Sequence, residues 1–100
     1  PMTDDGALHA RTQRAQQARE LLANPMLQEA FTELGRLYLE RAKHITADDD
    51  IGRFRVIQAA IVLDKVLEHV KAYVEDGKVA EAELKSLQRG NDRRKILGVV

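Results

Sequence analysis

One hundred residues make one small domain at most, and sixteen Lys and Arg against sixteen Asp and Glu leave a formal charge of zero. That balance argues against a protein held to nucleic acid mainly through phosphates, which would carry an excess of base. There is no cysteine, which excludes disulfides, thiolate metal ligands and thiol chemistry.

Hydrophobic residues make up 44% of the chain, with no Trp, two Phe and two Tyr, so a core must come from Leu, Val, Ile and Ala packed helix on helix. Ordering costs about 1.5 kcal/mol per residue against a gain of roughly 25 cal/mol per Å² of apolar burial, a near-zero balance in so small a helical chain. A partner surface is the expected supplement. No apolar run is long enough to span a membrane, and no basic segment leads into a hydrophobic one at the N-terminus. Pro1 before Met2 reads as a residue left by tag cleavage, with Met2 as the natural start.

Residues 1–6, PMTDDG, are polar and turn-forming and are expected to be disordered. Residues 7–88 are expected to form a single helical domain. From Ala7 to Leu22 the composition favours helix, but Leu8, Ala15, Ala18, Leu21 and Leu22 make a poor apolar face that orders only against a partner or frays. Asn24-Pro25 is the first break: Asn at an N-cap and Pro at the first helical position start a new helix. Leu27, Ala30, Phe31, Leu34, Leu37, Tyr38 and Ala42 then mark an amphipathic face to about His44. Gly35 interrupts it, and close approach of a second helix is the expected reason.

The stretch TADDD, residues 46–50, is the second break. Either Thr46 caps a helix beginning at Ala47, or the cap is Asp49 or Asp50 and the connection is longer. Both versions join two long helices by a short link and make them an antiparallel hairpin. Residues 51–75 form its second arm. Val56, Ala60, Leu63, Leu67, Val70 and Val74 make one stripe, and Ala59, Val62, Val66, Val70 and Tyr73 make another beside it, an arc wider than one neighbour covers. Asp76-Gly77 favours a helix stop, followed by a short helix through Val79, Ala80, Leu84 and Leu87; continuation through Gly77 is the competing reading. Residues 89–100 are expected to be a polar, mobile tail. The fold class is all-α, an antiparallel helical hairpin with shorter flanking helices in an oligomeric bundle.

Chemistry-bearing constellations are sparse. Asp48, Asp49 and Asp50 lack the alternating ligands of a calcium loop and read as caps. His9, His44 and His69 have no partner at a metal-ligand interval. Phosphate loops, nucleophile elbows and zinc-protease motifs are absent, so neither an enzyme nor a cofactor is expected. Arg11, Arg14 and Arg19 near one end, with Arg89, Arg93 and Arg94 near the other, are candidate phosphate-binding residues if the two sets meet. Residues 23–50 carry six acids against three bases and residues 76–100 carry six bases against four acids, which favours contact between copies. Val56, Ala59, Ala60, Leu63, Val66, Leu67, Val70, Tyr73 and Val74 are the expected oligomer interface.

The run LLANPMLQEAF, followed by DDDIGRFRVIQAAIVLDKVLEHVKAYVEDGKVAEAEL, resembles small helical proteins of unassigned function encoded in tailed phages and prophages of proteobacteria, often near packaging and capsid genes. The resemblance covers about Leu21 to Leu87 and rests on Asn24-Pro25, Gly52-Arg53 and Asp76-Gly77-Lys78. It implies virion assembly or packaging as the setting, in the host cytoplasm or with the virion, and a packaging or capsid protein as partner beside a second copy of the chain. Nucleic acid is the alternative partner.

Overall fold

The computed structural model describes the backbone of residues 3–96 and the side chains of residues 5–91. The described residues are all-α, with three helices in order: α1, Thr3–Leu22; α2, Pro25–Lys43; and α3, Asp50–Ile96. Its contacts fall into two units, one made of Pro1–Arg19 with Ala72–Val100, the other of Glu20–Lys71. Helix α3 supplies a segment to each.

The junctions follow from local chemistry. Asn24 has extended backbone angles, and its side-chain oxygen accepts from the amides of Met26 at 2.8 Å and Leu27 at 3.2 Å, as expected for an N-cap before Pro25. The Gln28 side chain donates to the Leu22 carbonyl at 2.8 Å, satisfying an acceptor near the end of α1. At the other break, α3 starts at Asp50, so the Thr46-capped helix beginning at Ala47 does not form. Asp49 accepts from the Gly52 amide at 2.8 Å instead. A Cβ on Gly52 would fall 2.7 Å from the Asp49 carboxyl carbon, so the glycine leaves that cap its room. Arg53 closes the corner by donating to the Thr46 carbonyl at 3.0 Å and pairing with Asp50.

Both ends are more helical than the sequence suggests: Thr3–Gly6 belongs to α1, and 89–96 to α3. The expected stop at Gly77 is also absent: α3 continues through it, so the residues expected to form a separate short helix belong to α3. Gly77 is buried in the middle of α3 because α1 crosses there. A Cβ on it would collide with that of Ala15, and the Ala15 Cα would lie at 3.6 Å. Gly35 behaves in the opposite way to expectation, since a Cβ there would meet nothing within 4 Å. The close-approach glycine is Gly77.

In the unit formed by α1 and the second part of α3, Leu8, Ala15, Ala18 and Ala80 are buried around that crossing. Small side chains let the two backbones approach, and polar contacts fasten the crossing on either side. Arg11 grips Asp76 with two nitrogens, Nε at 3.0 Å and Nη2 at 2.8 Å. The Arg14 guanidinium lies 5.3 Å from the centroid of the Tyr73 ring.

Candidate assembly surface

In the hairpin unit, Glu20–Lys71, α2 contributes no buried residue. Its inner row, Leu27, Phe31 and Tyr38, is only half-covered, as are Val56, Ala59, Ala60, Leu63, Leu67 and Val70 across from it on α3. Register is fixed by two grooves between the helices. Tyr38 shares one of about 490 Å³ with Ala59, Val62, Leu63 and Val66, and Phe31 shares one of about 190 Å³ with Leu27 and Leu67. Residues later in α2 therefore meet residues earlier in α3, as antiparallel neighbours must.

Apolar side chains remain open on two sides. On the first, Leu34 and Leu37 of α2 lie by the helical period one turn or less from Tyr38, which shares its groove with Val62 and Val66 of α3, the two valines 56% and 49% exposed. Those valines also line a second groove of about 380 Å³ with Lys65, His69 and Val70, so the two grooves adjoin along one face. On the second side, Phe54, Ile57 and Ile61 follow at steps of three and four and, by the helical period, point away from the row that meets α2. Phe54 is 62% exposed. The two stripes read from the sequence do not include this row; the spacing of those three residues is the signal that finds it.

The expected interface residues divide between the units. Val56, Ala59, Ala60, Leu63, Leu67 and Val70 form the half-covered inner side of the hairpin, whereas Val66 stands exposed on its open face. Tyr73 and Val74 belong to the unit with α1, where Tyr73 receives Arg14. Of the candidate phosphate-binding residues, Arg11 is bound to Asp76, Arg14 lies on Tyr73, and Arg19 donates to Gln16 at 2.7 Å. Arg89 is exposed on α3, and the side chains of Arg93 and Arg94 lie outside the described residues.

Electrostatics in the described residues are local. The hydrogen bonds from Arg11 hold the Asp76 carboxyl below its ordinary value, and Asp76 raises that of Arg11. On α2, the hydrogen bonds from Arg36 likewise lower Glu33. His9 and His44 each stand 3.7 Å from an acid one helical turn earlier, Asp5 and Glu40, attractive only when the imidazole is protonated. Among the described residues no group of three or more His, Asp or Glu side chains is placed to hold a metal ion, and no helix is long and apolar enough to cross a membrane.

No protein-family model, no curated protein and no solved structure matches this chain.

Proposed function

We propose that this chain acts by contact rather than catalysis, as an assembly protein that binds a second copy of itself and one further protein through the helical hairpin. The observation that carries the reading is a hairpin with no buried residue in α2 and open apolar rows on two sides. The likeness of residues 21–87 to small phage and prophage proteins suggests virion assembly or DNA packaging as the setting, with a capsid or packaging protein as the second partner.

Phosphate binding by the arginines is the rival reading, and its support is thinner because Arg11 and Arg14 are engaged within the chain. Sedimentation equilibrium at low micromolar concentration tests the proposal, with no stable folded monomer as the expected result. Binding to labelled duplex and single-stranded DNA at about 50 and about 200 mM salt tests the rival. Tight, steeply salt-dependent DNA binding that disappears when Arg89, Arg93 and Arg94 become Ala would replace the assembly reading.

A further inference from the structure

Resting on the proposed self-association, the structure points to how the second copy sits: we infer that two hairpins pair face to face about a two-fold axis parallel to their helices, α2 of each against α3 of the other. The face is the one bearing Leu34, Leu37, Val62 and Val66, where two adjoining grooves lie open and the largest of them is floored by Tyr38, Ala59 and Leu63.

Charge selects the arrangement. By helical periodicity Glu29, Glu33 and Glu40 run along the α2 border of this face, with Arg36 and Lys43, the partners of Glu33 and Glu40, one step further out, and Arg41, four residues after Leu37, on the face at its turn end. Lys65 lies at the α3 border, and Arg55, seven residues before Val62, lies within the face and lines its groove; Asp64 and Glu68 lie on the outer side with Ile57 and Ile61. Two hairpins can stack with a two-fold axis along the helices or across them. An axis across them sets α2 against α2 and brings like borders together. An axis along them sets the α2 border that carries Glu33 and Glu40 against the side of its partner's α3 that carries Lys65 and Arg55, twice by symmetry. The same axis preserves height along the hairpin. Since Tyr38 is level with Ala59 and Leu63, and Phe31 with Leu67, Glu33 comes level with Lys65 of the second copy, and Glu40 comes within a long side chain's reach of Arg55.

The test uses the full chain in four forms: wild type, Glu33→Lys with Glu40→Lys, Arg55→Glu with Lys65→Glu, and all four substitutions together. These positions are exposed except for the groove-lining part of Arg55, and circular dichroism checks that helicity is kept. Sedimentation equilibrium at low salt should show each two-site variant weakened by about tenfold or more, because every change acts twice and turns attraction into repulsion. An equimolar mixture of the two variants, and the four-site variant alone, should regain wild-type association. If wild type associates but the acid-to-lysine variant does so equally well, or the four-site variant stays weak, the arrangement is overturned and self-association stands. A wild type that remains monomeric at every concentration overturns both and assigns the face to a different protein.

Discussion

Gly77 of α3 and Ala15 of α1 meet where their two helices cross, with no space for a side chain on the glycine. The obstacle is the short, rigid Cβ of a helical residue, so Gly77→Ala must push the helices apart. Overpacking costs about 1–3 kcal/mol, while replacing a mid-helix glycine by alanine returns about 1 kcal/mol. The expected net effect is a loss of about 1 kcal/mol, read as a fall in melting temperature of about 4–8 °C. Ala15→Gly placed on the same chain should recover much of it by vacating the contact.

Gly35 supplies the reverse case. With open space around its would-be Cβ, Gly35→Ala should add only the helix-forming advantage, a gain of up to about 1 kcal/mol. A lower melting temperature would show that a partner or a backbone constraint needs the glycine.

The Arg11–Asp76 contact should register in the acid limb of stability. Because Asp76 is held below its ordinary value in the folded chain, its contribution is whole above about pH 4 and is lost as the pH falls through the depressed value. Urea unfolding of wild type and Asp76→Asn should therefore differ most near neutrality and converge in acid. A constant difference at every pH would mean that the carboxylate charge is not what matters at the crossing.

Asn24 carries the start of α2 with two accepted amide hydrogen bonds. Asn24→Ala should destabilise by about 1 kcal/mol, and Asn24→Asp, which keeps the accepting oxygen, should restore most of that in thermal unfolding.

Much of this architecture was legible in the sequence, for identifiable reasons. The Asn24-Pro25 start is a local capping signal, and the paired stripes of α3 are a period read directly from side-chain type. Glycine was less legible. Gly77 after Asp76 has the local form of a helix stop, yet a crossing helix whose contact lies far away in sequence can demand the same residue within a continuous helix. The start of α3 was ambiguous because Thr46, Asp49 and Asp50 are all good caps, and Gly52 decides in favour of Asp49 by making room for it. The open faces were only half legible. Stripe counting shows how much apolar surface a helix carries, but which stripe its own chain covers depends on where the neighbouring helix lands, and that left Phe54, Ile57 and Ile61 unread.

The Arg11–Asp76 bond joins residues 65 positions apart in sequence, whereas the hairpin turns through residues 44–49 alone. Closing a long loop costs more chain entropy than closing a short one, so contacts of low sequence separation gather first. The hairpin is thus the natural nucleus of folding, and α1 reaches its seat on α3 only at the end of the process. The same ordering governs native fluctuations. Release of α1 frees a length of chain while α3 keeps its helical hydrogen bonds, so amides of residues 7–19 should exchange with solvent deuterium through a cheaper opening than those of residues 56–70. In that opened state Leu8, Ala15, Ala18 and Ala80 lose their cover together, and a transient apolar surface appears that the closed chain conceals.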